Sequence, residues 1–240
     1  MALAMKKWTK DDVRAINNRL EDAEPVEVLH WIHEEFGSKA VMGTGFGPSG
    51  VMMLHIISRY DLGIPVFYLD TDLLFDETYD LRDELEEYFG IQFEKVHTDL
   101  SVDEQAIKYK SELWAKNPNK CCYLRKVLPL KKHLSDKKAW ITGVRRSQSD
   151  TRVNTRIIQW DPLNEVWKVN PLATWTTEEV WSYIHLNELP YNPLHDMGYP
   201  SIGCKPCTEP VEPGEEERAG RWAGMSKTEC GIHVPTQEGA

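Results

Sequence analysis

The five cysteines of this 240-residue chain divide by spacing into two pairs and a single residue: the adjacent Cys121-Cys122, then Cys204-x-x-Cys207, then Cys230 close to the C-terminus. Four thiolates in two pairs can hold one compact metal centre if the fold brings the pairs together. Structural zinc commonly uses pairs with a two-residue gap, whereas adjacent ligands suit a larger cluster whose irons are spread apart. Spacing alone therefore leaves zinc and iron-sulfur both open. Four unrelated buried thiols are the plainer alternative. Cys230 is left over from the metal set. A free thiol is only a few per cent thiolate at neutral pH and needs a nearby cation or histidine to act as a nucleophile. His233, three residues on, can supply that company, while Glu229 works against it. Without such help Cys230 is an unreactive tail cysteine.

A second chemistry, anion binding, is written into Ala40-Val-Met-Gly-Thr-Gly-Phe-Gly-Pro-Ser-Gly50, which reads as strand, glycine-rich turn and helix start. Exposed amides around Gly45, Gly47 and Ser49 and the helix N-terminus behind them favour phosphate, hence a nucleotide. Gly45-x-Gly47-x-x-Gly50 also fits the dinucleotide fingerprint, with Asp70 placed for a ribose hydroxyl. That reading leaves the cysteines and the arginines without a role, so a nucleotide-binding α/β fold of another kind is preferred; a plain tight turn is the bland alternative. Basic residues gather at Arg145, Arg146, Arg152 and Arg156, and again at Arg218 and Arg221, in a chain whose formal charge is -10. Such an acidic chain is no general nucleic-acid binder. Its local basic patches suit a small anionic substrate, or are simply solvated surface charge.

No apolar run approaches the roughly 20 residues that span a bilayer, and residues 1–7 lack the apolar centre of a signal peptide, so the expectation is a soluble, cytoplasmic protein with no membrane contact. In that compartment disulfides rarely persist, which again points the cysteines to metal or catalysis.

The elements that must position these groups alternate. Residues 9–20 and 25–36 read as amphipathic helices, the second with Val28, Leu29, Ile32 and Phe36 at helical spacing. Apolar runs at 40–43, 64–69, 91–96 and 139–143 read as buried strands. Between the second and third runs Leu81, Leu85 and Tyr88 share a helical face that Gly90 stops. Thr176 and Glu179 stand in capping-box register before Val180, Trp181 and Ile184. Alternation of this kind predicts a parallel sheet covered by helices, with ligands outside the carboxyl ends of the strands. From residue 190 onward Pro, Gly and acidic residues dominate, and the segment is expected to be mobile unless Cys204-x-x-Cys207 pins it.

Cys121-Cys122-Tyr-Leu-Arg-Lys126-Val-Leu-Pro-Leu130 resembles the assimilatory adenylyl-sulfate and phosphoadenylyl-sulfate reductases. So do the double-arginine loop Thr142-Gly-Val-Arg-Arg-Ser-Gln-Ser149 and the segment Tyr191-Asn-Pro-Leu-His-Asp-Met-Gly-Tyr-Pro-Ser-Ile-Gly-Cys204-Lys-Pro-Cys207. The C-terminal Glu216-Glu-Arg-Ala-Gly-Arg-Trp222 and Lys227-Thr-Glu-Cys-Gly-Ile-His233 complete the likeness, which runs from about Val41 to His233.

The resemblance implies an α/β fold with a mostly parallel twisted sheet flanked by helices, like the adenine nucleotide α-hydrolases, and an irregular C-terminal tail. It divides the chain into N-terminal helices on the core (1–36), an α/β nucleotide-binding core (37–189), and a cluster-anchoring segment with a mobile catalytic tail (190–240). It implies a [4Fe-4S] cluster on Cys121, Cys122, Cys204 and Cys207, which tunes the site electrostatically without shuttling electrons, and Lys126 between cluster and substrate. Cys230, with His233, would attack the sulfur of adenosine 5'-phosphosulfate (APS), expel AMP and carry an S-sulfonate. Thioredoxin or a similar dithiol protein would then release sulfite, in assimilatory sulfate reduction and cysteine biosynthesis. Gly45, Gly47, Ser49, Lys126, Gly143, Arg145, Arg146, Arg218 and Arg221 would bind the anion, and Asp70 and Thr71 would border the adenosine. A homo-oligomer is expected.

Two segments depart from the family pattern. Thr44-Gly-Phe-Gly-Pro-Ser-Gly50 replaces a serine-rich loop ending in an acidic residue, and Leu69-Asp-Thr-Asp-Leu-Leu-Phe75 replaces Leu-Asp-Thr-Gly-Arg-Leu-Phe. Specificity for phosphoadenylyl sulfate (PAPS), alone or with APS, thus stays open beside the APS reading. Readings of other classes are an ATP-cleaving sulfur-inserting enzyme and a cluster protein serving as an electron carrier.

Overall fold

A computed structural model describes residues 8–233. The opening stretch read above for a signal peptide and the last residues of the tail, 234–240, lie outside the described residues.

Two capped helices lead in. Thr9 accepts the Asp12 amide while Asp12 accepts the Thr9 amide, starting α1 (Lys10–Leu20), and Pro25 opens α2 (Pro25–Phe36), whose Val28, Leu29 and Ile32 are fully buried. Then follow β1 (Ala40–Thr44), α3 (Pro48–Arg59), β2 (Val66–Asp70), α4 (Asp76–Phe89) and β3 (Phe93–His97). Gly90 ends α4 in the left-handed conformation, φ 65°. After α5 (Val102–Tyr109), two short helices, α6 (Leu113–Lys116) and α7 (Pro118–Cys122), run through a π-helical turn at Tyr123–Val127 into α8 (Leu128–Leu134). The chain continues through β4 (Ala139–Ile141), β5 (Ile158–Asp161), β6 (Val166–Val169) and α9 (Thr177–Leu186), with the expected Thr176–Glu179 capping box in place.

The six strands form one sheet in the order β3-β2-β1-β4-β6-β5, all parallel except the edge strand β5, which pairs antiparallel with β6. The mostly parallel sheet with helices on it is the architecture the alternating pattern predicts, with the predicted strands displaced by one or two residues at their ends. The hairpin β5–β6 has no clear signal in the sequence: β5 is half-exposed after Ile158, and Lys168 interrupts the short apolar run of β6. One core, from Val28 and Leu29 through Met42, Met53 and Leu54 to Ile184, joins α2, α3 and α9 to the sheet, and Trp8, Trp31 and Phe36 pack on it. A smaller core on the other face gathers Val41, Phe67, Leu130, Leu134 and Trp140.

Strand order reverses between β1 and β4, since β2 and β3 lie to one side of β1 and β6 and β5 beyond β4. At such a point the loops leaving two adjacent strands diverge and open a crevice. The segment after α9 has no long helix or strand among the described residues, yet it is held down. Leu74 bridges to Cys204 and Thr208 to Arg221, and Leu194, Cys204 and Trp222 are buried. No helix among the described residues is long and apolar enough to cross a membrane.

Candidate active site

A cleft of about 280 Å³ opens at the β1–β4 crevice. Its floor is the glycine loop after β1. There the Phe46 amide donates to Thr44 Oγ1 (3.0 Å) with Phe46 at φ 59°, and a Cβ on Gly50 would stand 2.5 Å from that same oxygen. Only glycine lets the loop close on itself at position 50. Gly45 and Gly47 face open space instead, so their backbone is accessible from the cleft. The first turn of α3 has Gly47 as cap and no side-chain acceptor for its amides. An anion held there would complete those donors. Opposite, Thr142 is fixed by its bond to Asn170 (2.6 Å), and Gly143 packs so closely on Ser49 that a Cβ would come within 3.0 Å.

Four buried donors around this cleft have no acceptor: Trp140 Nε1, Arg145 Nε, Arg221 Nε and Trp222 Nε1. Arg145 is steered by Thr177 Oγ1 (3.2 Å) and Glu217 (3.5 Å), and Arg221 lies over the Trp222 ring at 4.6 Å with Gly203 beneath it. Leaving a buried donor unmet costs about 1–3 kcal/mol each, more when it is charged. Four such donors on residues that line one cleft, two of them on arginines, make its wall cationic and rich in donors, which suits an oxyanion.

Cys230 lines the same cleft and is 9 % exposed, packed with Cys122 and Trp222. Its neighbour Glu229 does not stand free. Arg152 grips both carboxylate oxygens (2.8 and 2.9 Å) and Arg218 adds a third contact (3.2 Å). Burial pushes the Glu229 carboxyl up, but Arg152 and Arg218 outweigh it and hold it below its ordinary value. The negative charge beside Cys230 is thus neutralised. Arg218 is itself pulled down to about 10 by burial and by Arg152. His233 stacks on Trp140 (5.3 Å, 11°) and meets Lys168 Nζ at 3.0 Å through Nδ1. Lost hydration and Lys168, Arg152, Arg218 and Lys126 push its pKa well below the usual value, so the ring is neutral.

On the far side of Lys126 a second, small cavity is lined by Cys121, Cys122, Cys204 and Cys207 with Thr71 and Arg125. Lys126 lines both cavities. Cys121 and Cys122 end α7, and the π-helical turn after them carries Arg125 and Lys126. Arg125 is anchored to Thr71 O (2.7 Å), Leu100 O (2.8 Å) and Asp72 (2.8 Å), which ties this turn to the loop after β2. Burial raises Cys121, and raises Cys122 to about 11 and Cys207 to about 12. Burial works the same way on Cys204, but Lys126 and the Thr71 hydroxyl (3.3 Å) outweigh it and lower that thiol. Burial pulls Lys126 down, while Cys204, Cys230 and Cys122 raise it further, so it stays an ammonium. Among the described residues no three His, Cys, Asp or Glu side chains are arranged to hold a metal ion. Four free thiols spread around one cavity instead fit a polynuclear iron-sulfur group, whose irons lie apart.

The sequence-predicted residues do not all meet. Gly45, Gly47, Ser49, Lys126, Gly143, Arg145, Arg218, Arg221, Cys230 and His233 line the cleft. Arg146 does not: it is paired with Glu21 at the end of α1 and donates to Thr155 O (2.8 Å). Asp70 is likewise engaged elsewhere, by Tyr79 (2.7 Å), Lys95 (2.7 Å) and the Asp72 amide (2.8 Å), and Thr71 faces the cysteines. Trp140, Gln148, Arg152 and Trp222, not among the sequence-predicted binding residues, also line the cleft, and Lys168 reaches its edge through His233. For Trp222 the signal was its place beside Arg221; for Arg152, its place in the basic patch. Lys168 is one charge among the apolar residues of β6.

A family model described as the phosphoadenosine phosphosulfate reductase domain matches residues 39–210. The chain is 50% identical over 232 residues to the adenosine 5'-phosphosulfate reductase of Salinibacter ruber, covering 96% of this chain and 92% of that one. It is 46% identical to the adenosine 5'-phosphosulfate reductase 2 of Bacillus subtilis, covering 94% and 95%. Among solved structures, the phosphoadenylyl-sulfate reductase of Candida auris, in its phosphate complex, superposes with a TM-score of 0.74 at 30% identity, covering 85% of this chain and 98% of that one.

Proposed function

This chain belongs to the phosphoadenosine phosphosulfate reductase family, and on that premise we propose that it reduces adenosine 5'-phosphosulfate to sulfite and AMP, with Cys230 as nucleophile and a dithiol protein such as thioredoxin as reductant. The observation that carries the reading is that Trp140, Arg145, Arg221 and Trp222, each with an unpartnered donor, line one cleft with Cys230. The names of the Salinibacter and Bacillus relatives favour APS over PAPS.

The glycine loop and the α3 N-terminus bind the nucleotide phosphate, and Arg145 and Arg221 receive the charge that grows on it. The Cys230 thiolate attacks the sulfate sulfur, the sulfur–oxygen bond to the phosphate breaks, and AMP leaves with that electron pair. Lys126 offers a cation to the thiolate side of the cleft. An external thiolate then attacks Cys230 Sγ, sulfite leaves with the sulfur–sulfur electrons, and the donor's second thiol closes a disulfide, which supplies the two electrons of the reduction. Cys121, Cys122, Cys204 and Cys207 would hold a [4Fe-4S] cluster, whose contribution when bound is electrostatic, acting on the cleft across Lys126. With Cys204 tied to Thr71 and Lys126 beside it, this chain holds the cation at a fixed depth between thiols and substrate.

The test is Cys230→Ser. That variant is expected to bind nucleotide and retain its iron but to gain no sulfonate mass on the peptide containing residue 230, where the parent gains one before thioredoxin is added. Normal turnover by the variant would refute the assignment.

A further inference from the structure

Lys168 is an unusual charge. It lies on β6 between β4 and β5, is 5 % exposed, and has an imidazole rather than a carboxylate for its hydrogen-bond partner. Burying an ammonium in this way is costly unless the charge does something there. Its Nζ lies 3.0 Å from His233 Nδ1 and 5.2 Å from the Trp140 ring centre, and His233 stacks on the same ring. The indole is a common plate for both groups, and it limits rotation of the imidazole.

We propose that Lys168 is a positioning residue for the reaction: by donating to Nδ1 it fixes His233 as the Nε2-protonated tautomer, so that the tail bearing Cys230 presents an N–H, not a lone pair, to the anion in the cleft. An ammonium has donors only, so Nδ1 must accept. A neutral imidazole then carries its proton on Nε2, and a cationic one would set two donors face to face. The positive groups around the ring, Lys168, Arg152, Arg218 and Lys126, all oppose that cation. Around Lys168, Asp161, Cys230 and Glu229 favour its charge while burial and Arg152 oppose it, and its pKa falls to about 8, leaving it mostly protonated at neutral pH.

The chemical consequence is specific. With its lone pair committed to Lys168, His233 has none free to collect the Cys230 proton. Its role is that of a neutral donor toward substrate oxygens, and the ionisation of Cys230 must be supported by cations such as Lys126. This assignment of role rests on the proposed reductase reading; the tautomer does not.

The experiment has two arms on the full chain with its iron. Ring nitrogen NMR of histidine-labelled protein without nucleotide should show His233 protonated on Nε2 and bare on Nδ1 between pH 6 and 8. In Lys168→Met that preference should vanish and the ring should titrate nearer its ordinary value of about 6.5. In the second arm, single-turnover S-sulfonation should slow about ten- to a hundred-fold in Lys168→Met, the range for losing one oriented hydrogen bond to a charged group, with AMP affinity changed far less. Added to His233→Ala, the same substitution should slow nothing further. A wild-type ring protonated on Nδ1 or doubly protonated at pH 7 overturns the proposal. So does an unslowed Lys168→Met, or one that slows His233→Ala just as it slows the parent. If Lys168→Met does not fold, the wild-type spectrum still decides the tautomer, and Lys168→Gln, which keeps a donor, should preserve it. Absence of any S-sulfonate in the parent would instead sink the reductase reading and leave the spectrum to judge Lys168.

Discussion

Replacing Glu229 with Gln tests how the tail is kept shut. The carboxylate is held by both nitrogens of the Arg152 fork and by Arg218, at 2.8, 2.9 and 3.2 Å, with only 11 % of its side chain exposed. Gln keeps the shape and one acceptor but gives up the charge. A hydrogen bond to a charged group contributes about 1.5–3 kcal/mol against about 0.5–1.5 for a neutral one, so the tail should lose roughly 1–3 kcal/mol of closure. That corresponds to an opening equilibrium raised about five- to a hundred-and-fifty-fold. Alkylation of Cys230 by iodoacetamide, followed by peptide mass, should accelerate by that factor, and amide exchange should rise over 226–233. The melting temperature should scarcely move, because the main core does not include this segment. The sign with pH follows from the lowered carboxyl: the restraint is fully present above the ordinary value of about 4.3 and is lost as pH falls through the lower folded value. Alkylation and exchange unchanged within twofold would refute the idea that this ion cluster holds the nucleophile in place.

Other outcomes can be checked beside it. Gly203→Ala places a methyl group where the Arg221 guanidinium lies; nucleotide affinity measured by calorimetry should drop about ten- to a hundred-fold, as in Arg221→Ala, since each removes one charge-assisted contact. Cys207→Ser should purify with little iron and without the visible absorbance of the parent, as read by metal analysis and spectroscopy. Lys168, at about 8 in the folded chain against about 10.4 unfolded, makes the unfolded state bind more protons between those values, so stability to urea should rise with pH there. The rise should be missing from Lys168→Met.

Most of the sheet could be read from sequence because strands buried on both faces are apolar runs, and β1, β2 and β4 are such runs; β3, at the edge, buries only Phe93 and Val96 and exposes Glu94, Lys95 and His97. The β5–β6 hairpin could not, because β5 has one wetted face and β6 buries Lys168 for a reason visible only once His233 is placed beside it. The cysteines, the glycine loop and Arg145, Arg218 and Arg221 were legible as chemistry, since their types and spacing are local. Arg146 differs for the opposite reason: it opens the 3-10 turn Arg146–Gln148 after the extended Arg145, and Glu21, far away in the chain, claims it. Asp70 carried the sequence signal of a ribose contact, but Tyr79 and Lys95 occupy it. Which of two adjacent charges meets the ligand is decided by tertiary partners, and these leave no mark on the local pattern.

The thiol ring joins residues on either side of β4, β5, β6 and α9, with Cys121 and Cys122 before them and Cys204 and Cys207 after. During synthesis the first pair therefore emerges from the ribosome and must wait, unligated, while the second half of the sheet is made. A chain cut short before residue 204 can build its glycine loop yet never complete the ring. A cluster held as proposed would take up its sulfide and iron only once translation is nearly finished, and the chain's own geometry would act as the inspector of its length.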